Sequence, residues 1–376
     1  MPVLESLSDR VRAVRFDRAG ADRRERGARR LVSRGRARPR CFRAMSEAVS
    51  PPLLRVEGLE TYFPIRSGPL RRITGWVRAA DGVDLAVPAG KTLALVGESG
   101  CGKSTVGRSI LRLEQPRAGR IWFDGVDLAT LAGRALHPYR RRIQMILQDP
   151  AAALDPRMRL RDAIAEGMQA FGIGANEAER TERVAELLRQ VRLDPGQMGR
   201  YPHELSGGQR QRVCIARALA VDPELIVCDE AVSALDVSIQ AQILNLLADL
   251  QQERELAYLF ITHDLAVVRH IADRVAVMYL GQIVEEGPVE RVFALPAHPY
   301  TRGLLAAAPS LDAGARGRPA PVRGDPPSPA NPPAGCRFHT RCPDVFDRCP
   351  RESPPSYAVG DGTSRCFLCD PEGPSR

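Results

Sequence analysis

Lysine is almost missing from this chain of 376 residues. Of its 54 Lys plus Arg residues, only Lys91 and Lys103 are lysines. Arg serves nearly everywhere a cation is needed, so a retained Lys marks a place where a compact charge works better than the broad guanidinium fork. Long apolar runs are also missing. No stretch of about eighteen apolar residues occurs, which excludes a transmembrane helix. The N-terminus lacks the apolar segment of a secretory signal. Excess charge is missing too, once the first 44 residues are set aside. They hold 14 Arg against 5 acids, which accounts for the whole formal net charge of +9. The remaining 332 residues are balanced at 40 basic and 40 acidic. The nucleic-acid or membrane partners that a basic balance suggests are therefore a question for the leader alone. What is present is 44% hydrophobic residues, enough for a large core.

The second lysine stands in Gly97-Glu98-Ser99-Gly100-Cys101-Gly102-Lys103-Ser104-Thr105. This is the spacing of a phosphate-binding loop, G-x-x-x-x-G-K-S/T. An apolar run from Thr92 to Val96 leads in as a buried strand, and a helical pattern from Thr105 to Leu113 leads out. The glycines allow successive backbone N–H groups to turn inward around a phosphate, at the positive end of the helix. Lys103 would reach the β- and γ-phosphates, and Ser104 would offer its hydroxyl to Mg²⁺. Cys101 contributes only backbone there. A nucleotide site without an export signal implies the cytosol, where disulfides are disfavoured.

Further pieces follow in chain order. Leu225-Ile226-Val227-Cys228-Asp229-Glu230 reads as a fully buried parallel strand delivering two carboxylates at its C-terminal end. Asp229 can hold Mg²⁺, and Glu230 can polarise the water that attacks a γ-phosphate. The alternative is a strand followed by an acidic turn. His263, after the buried strand Tyr258 to Thr262, could touch a γ-phosphate or be structural. Ser206 precedes Gly207, Gly208 and Gln209, just before an apolar helix expected over Val213 to Ala220. That is either a second anion site or a simple helix cap. Tyr62 or Phe63 could stack on a base or serve as an ordinary strand aromatic.

The coarse organisation has three parts. Residues 1–52 are a basic leader, whether a binding arm, a transit peptide or an extension upstream of a true start at Met45. Order begins near Leu53, with stretches that alternate like edge strands at Leu53 to Val56 and Leu59 to Phe63, the second closed by Pro64. A polar loop is expected over 65–76. Strands follow at Val83 to Val87, Gly119 to Gly125 (ending in an Asp-Gly turn) and Arg141 to Leu147, with an amphipathic helix at Glu177 to Val191. A helix from Ser233 to about Glu253 and strands at Val275 to Leu280 and Ile283 to Glu285 complete an α/β pattern. The main domain is expected over 53–295, with a helical subdomain at about 150–222, and an extension over 296–376.

That extension holds Cys336, Cys342, Cys349, Cys366 and Cys369. The first four have irregular spacing, and Pro343 and Pro350 follow two of them, which suits an iron–sulfur cluster. Cys366 and Cys369 form the closer pair that zinc usually takes. Disulfides conflict with the compartment. Spacing leaves cluster, zinc and no metal all open.

Together the motifs resemble an ATP-binding-cassette ATPase over about residues 53–295, in the family's order. Gly97 to Thr105 is similar to the Walker A loop and Leu225 to Glu230 to Walker B. Leu205 to Gln209 is the family's LSGGQ without change. Gln148 resembles the Q-loop glutamine, which senses Mg²⁺ and meets the membrane subunit. Asp236 resembles the D-loop aspartate and His263 the switch histidine. The resemblance implies a phosphate-loop NTPase core with a mixed sheet, an antiparallel β subdomain and a helical subdomain. It implies that Phe63, or else Tyr62, stacks on the base. His298-Pro299-Tyr300-Thr301 and the Pro-rich Ser328 to Pro333 resemble the C-terminal extension of oligopeptide/dipeptide importer ATPases, and the chain looks most like the second ATPase subunit of that system. Two departures stand out: Ala231 where the family usually has Pro, and Leu147 where it usually has an aromatic.

The resemblance implies ATP and Mg²⁺ as cofactors, and a [4Fe-4S] cluster on Cys336, Cys342, Cys349 and Cys366, with zinc as the alternative. It implies a composite site, closed by Ser206 to Gln209 of a sister ATPase subunit in a head-to-tail heterodimer. Partners would be two integral membrane permease subunits and an extracytoplasmic solute-binding protein, with no nucleic acid. The location would be peripheral, on the cytoplasmic face of the inner membrane. The function implied is ATP-driven peptide uptake. Alternatives are a nickel or other small-solute importer, an exporter ATPase, and a soluble cassette protein acting on ribosomes or DNA.

Overall fold

The computed structural model describes residues 51–68, 71–307, 322 and 324–373. Residues 1–50 of the basic leader, with Met45 and Cys41, lie outside the described residues. The described residues form one unit.

Two long strands open it, β1 (Leu54–Ser67) and β2 (Arg72–Val87). They pair antiparallel from Leu54↔Val87 to Ser67↔Arg72. The loop expected over 65–76 is therefore mostly hairpin, and Pro64 does not end its strand. β1 has β4 (Ala118–Phe123) on its other side only as far as Glu60↔Ala118. Beyond that point it is an edge, where a residue without an N–H costs no ladder bond. After β2 come β3 (Thr92–Val96) and α1 (Lys103–Ile110). β4 turns at Asp124 and Gly125 into the short β5 (Val126–Asp127). Both turn residues have positive φ, 50° and 76°, as a two-residue hairpin turn that matches strand twist requires. The four strands form a sheet in the order β2-β1-β4-β5.

The chain continues through α2 (His137–Arg142), β6 (Ile143–Ile146), α3 (Pro150–Ala153), α4 (Leu160–Ala170), α5 (Glu177–Gln190) and α6 (Gly207–Leu219). The strand expected over Arg141 to Leu147 is thus shorter, its first residues ending α2. Then come β7 (Leu225–Asp229), α7 (Val237–Arg254), β8 (Ala257–Thr262), α8 (Leu265–Ile271), β9 (Arg274–Tyr279) and β10 (Gln282–Pro288). The last elements are α9 (Val289–Ala294), α10 (Pro299–Ala307), β11 (Tyr357–Val359) and β12 (Gly362–Ser364).

The second sheet has eight strands in the order β11-β12-β10-β9-β3-β8-β7-β6. β9, β3, β8, β7 and β6 run parallel, and the others are antiparallel. Every residue of β3, β7 and β8 is buried, which follows from their continuous apolar sequences, as in sheets covered on both faces. The cysteine-bearing extension adds its β-hairpin to the edge of this sheet through β12 on β10.

One hydrophobic cluster joins α4, α5, α6 and α7 to the β6–β8 side of the sheet. A second lies between the two sheets and around α1. A third packs Tyr300 and Phe338 of the extension against β9 and β10. The C-terminal ends of β3, β6, β7 and β8 come out together at one rim. In open α/β sheets that rim is where ligands bind, and here it carries Gly97, Gln148, Glu230 and His263.

Candidate active site

The phosphate loop leaves β3 at Val96 and enters α1 at Lys103. Gly97, Gly100 and Gly102 have φ of 155°, 78° and 109°. A Cβ on Gly102 would stand 1.8 Å from the carbonyl oxygen of Ala79, and one on Gly97 would stand 2.2 Å from that of Met278. Neighbouring backbone alone thus requires glycine at both ends of the loop. Lys103 is 4% exposed. Its Nζ donates to the carbonyl oxygens of Gly97 at 2.8 Å and Glu98 at 3.0 Å. Those two bonds hold the ammonium across the mouth of the loop. Cys101 is buried, and burial raises its pKa. A neutral thiol fits the reading of a small residue with no chemistry of its own.

Ser104 Oγ donates to Asp229 Oδ1 at 2.7 Å. The hydroxyl and carboxylate expected to hold Mg²⁺ are thus adjacent, on α1 and β7. Asp229 is 3% exposed, and burial pushes its pKa up, with the Ser104 bond pulling the other way. A carboxylate so placed gains from a cation beside it, because removing charge from water costs free energy unless it is paired.

Glu230 follows Asp229 with φ 48°, left-handed for a residue that is not glycine. Its N–H donates to Ile261 O at 2.9 Å, and its carbonyl accepts from Ser233 N at 3.1 Å and Ser233 Oγ at 3.0 Å. These bonds hold the unfavourable backbone and turn the side chain away from β7. Glu230 Oε2 accepts from Gln148 Nε2 at 2.9 Å, and Oε1 lies 3.4 Å from His263 Nδ1. Three residues named separately from the sequence, on the ends of β6, β7 and β8, thus meet at one carboxylate. A carboxylate held from both sides is suited to orienting a water.

Ser206 caps a helix, one of the two readings of its segment, and only the helix start differs from expectation. The helix starts at Gly207, not near Val213. Ser206 Oγ accepts from Gln209 N at 3.3 Å, and Gln209 Oε1 accepts from Ser206 N at 3.0 Å. This reciprocal cap offsets the poor helix propensity of two glycines. A Cβ on Gly208 would meet Ile239 Cγ2 at 2.6 Å, so α7 packs too closely for any other residue. Ser206 is exposed at the N-terminus of α6, where N–H groups and helix dipole favour an anion. Asp236 is exposed and takes the N-cap position of α7 without capping it.

Of the two aromatic candidates, Tyr62 is engaged within the fold. Its hydroxyl donates to Asp81, and its ring lies 5.0 Å from the Arg117 guanidinium and 5.9 Å from that of Arg78. Phe63 is half-buried on β1 opposite Val77. Both rings are half-buried, and Tyr62 is the one committed to partners within the fold.

Cys336, Cys342, Cys349 and Cys366 are free thiols that line one cavity with His298 and Phe338. Cys336 N donates to Cys349 O at 2.8 Å, which ties two of the thiol-bearing segments together. Yet among the described residues no group of three or more His, Cys, Asp or Glu is set closely enough to hold a metal ion.

Contacts at Glu98 went unnoticed in the sequence. Its carboxylate accepts two bonds from Arg341, and its N–H donates to the Tyr300 hydroxyl. Nothing local in the chain signals a pairing across 243 positions.

Comparison with known proteins identifies the family. Residues 80–233 match the ABC transporter family model, and residues 284–349 match that of the oligopeptide/dipeptide transporter C-terminal region. A putative peptide import ATP-binding protein of Brucella ovis is 52% identical over 319 residues, covering 85% of this chain and 98% of that protein. The oligopeptide transport ATP-binding protein AppF of Bacillus subtilis is 50% identical over 313 residues, covering 82% and 95%. Among solved structures, a dimeric ATP-binding cassette in a post-hydrolysis state, bound to ADP and Pi, matches with a TM-score of 0.57. It is 28% identical and covers 63% of this chain and 98% of its own. The chain belongs to the ABC transporter family of ATP-binding proteins, in the branch that carries the oligopeptide/dipeptide transporter C-terminal region.

Proposed function

We propose that this chain is the ATP-hydrolysing subunit of an ABC importer that takes up peptides. The observation that carries the reading is Glu230 gripped by Gln148 and His263 beside the Ser104–Asp229 pair, in a chain whose relatives are named for peptide import. Lys103 and the loop N–H groups hold the phosphates, Ser104 and Asp229 hold Mg²⁺, and Glu230 orients the attacking water. Phe63 stacks on the base. One chain supplies one phosphate loop and one Ser206–Gln209 segment. Closure over the γ-phosphate comes from that segment of a second ATPase subunit, arranged head to tail. ATP then favours the closed pair by its differential contacts, and hydrolysis removes them. The sister subunit, two permease subunits and a solute-binding protein complete the system. Among the described residues no helix is long and apolar enough to cross a membrane, and the reading places the chain peripherally on the cytoplasmic face.

The cysteine cavity is read as the seat of an iron–sulfur cluster held by Cys336, Cys342, Cys349 and Cys366. Such a group would tie together the segments that carry its ligands. Anaerobically purified protein is expected to show broad visible absorption with matching iron and sulfide; colourless protein containing zinc would exclude the cluster.

The test of function is uptake of labelled di- and oligopeptides by cells lacking the gene, complemented by the wild-type chain or by Lys103→Ala. Restoration by the wild type alone supports the reading. Unimpaired uptake without the gene would exclude peptide import as its role.

A further inference from the structure

Glu98, the second residue of the phosphate loop, is held from outside the nucleotide-binding motifs. Its backbone N–H donates to the hydroxyl of Tyr300 at 2.9 Å. Its carboxylate accepts a forked pair of bonds from Arg341, Nη1 at 2.7 Å and Nη2 at 2.9 Å. Its carbonyl takes one of the two bonds that hold Lys103. The Arg341 side chain is 6% exposed and that of Glu98 27%, so water screens this pair poorly. Parallel two-point bonding fixes direction as well as distance.

Arg341 is itself rigidly placed. It ends a 3₁₀ turn, with its N–H donating to Phe338 O at 2.9 Å and the His339 N–H donating to Cys336 O at 3.1 Å. The turn lies between two thiols of the cavity, Cys336 and Cys342. Its guanidinium also sits 5.7 Å from the Tyr279 ring, which packs on Tyr300 and Phe338. The same turn grips the loop's far end less directly. Arg337 donates to Leu280 O and to Asp81, and Gly281 N donates to the carbonyl oxygen of Cys101 at 2.9 Å. The stretch from Glu98 to Cys101 is therefore braced at both ends by contacts that trace to residues 336–342.

We propose that Arg341 is a positioning residue for the ATP phosphates, acting through Glu98, and that the cysteine-bearing turn 336–342 sets the shape of the phosphate loop. Cutting the fork frees Glu98 and loosens its carbonyl's hold on Lys103. The loop N–H groups then have to be ordered by ATP itself, which weakens binding. The chemistry at Glu230 is on other elements, so the loss falls on affinity more than on turnover.

This inference rests on the chain binding ATP, and the test separates the two. Binding of a fluorescent ATP analogue with Mg²⁺ is measured for the full chain and for Arg341→Ala, Arg341→Lys, Glu98→Ala and the Glu98→Ala/Arg341→Ala double variant. Arg341→Ala and Glu98→Ala are each expected to raise Kd by about tenfold, and the double variant by no more than either, because both break one contact. Arg341→Lys, which keeps the charge and loses the fork, falls between. ATPase assays should show KM rising with kcat within about twofold. A wild-type chain that fails to bind the analogue defeats the functional reading. Wild-type binding with an unchanged Kd in Arg341→Ala, or with independent and additive losses in the double variant, overturns the role of Arg341. If Arg341→Ala fails to fold, Arg341→Lys decides, and wild-type affinity in that variant counts equally against it.

Discussion

Gln148 donates from Nε2 to Glu230 Oε2 at 2.9 Å. The glutamine that follows β6 and the carboxylate that ends β7 are thus in direct contact, with His263 on the carboxylate's other oxygen. A shift of the loop after Ile146 would be felt at Glu230 without an intermediary. Coupling between a moving loop and a reacting centre needs such a two-position contact.

Glu230→Gln keeps the shape of the side chain and removes its charge. It can still bond Gln148, so the site should stay assembled while losing the carboxylate proposed to orient the water. Phosphate release is expected to fall by about a thousandfold. ATP-dependent association with a second ATPase subunit should persist, because the γ-phosphate contacts that close the pair are untouched. Parallel phosphate-release and sedimentation measurements check both halves. Normal hydrolysis in the variant would remove Glu230 from its role.

Phe63 and Tyr62 separate cleanly by experiment. Tyr62 is bound to Asp81 and flanked by Arg117 and Arg78, whereas Phe63 is half-buried on its strand. Phe63→Ala is expected to weaken nucleotide affinity by about tenfold, the loss of one base–ring stack, with little change in thermal stability. Tyr62→Ala should lower stability and spare affinity. The reverse pattern, read by nucleotide titration and thermal melts, would move the base to Tyr62.

Local chemistry was legible in the chain and distant chemistry was not. The buried strand, glycine loop and helix around Lys103 are contiguous, and their order could be read directly. So could the acids at the end of β7, since a fully apolar strand announces burial on both faces. The cap at Ser206 was legible, but α6 begins at Gly207, before the apolar run at Val213, because the bonds between Ser206 and Gln209 offset the poor propensity of two glycines. The edge character of β1 was legible, but Pro64 does not end it, because on the side that β4 has left a missing N–H costs no ladder bond. The forked contact between Arg341 and Glu98, and the pairing of β12 with β10, depend on chain segments brought together only by the fold.

Asp81 is another place where the extension meets the core. It accepts bonds from the Tyr62 hydroxyl and from Arg337, and its side chain is 14% exposed. Burial alone would raise its pKa, but the Tyr62 hydroxyl and the Arg337 charge outweigh burial and hold it below the ordinary 3.8. A carboxylate depressed on folding contributes stability that is fully present above its unfolded pKa and is lost as pH falls through the folded value. Asp81→Asn removes the charge that Arg337 pairs with, and is expected to cost about 2 kcal/mol at neutral pH. The deficit should be constant above about pH 5 and shrink below about pH 4, where the wild-type carboxylate takes up its proton. Urea unfolding of both proteins across that range measures it. A deficit that stays constant into acid, or grows, would mean that Asp81 acts by shape alone and that its charge does not fasten the extension to β1 and β2.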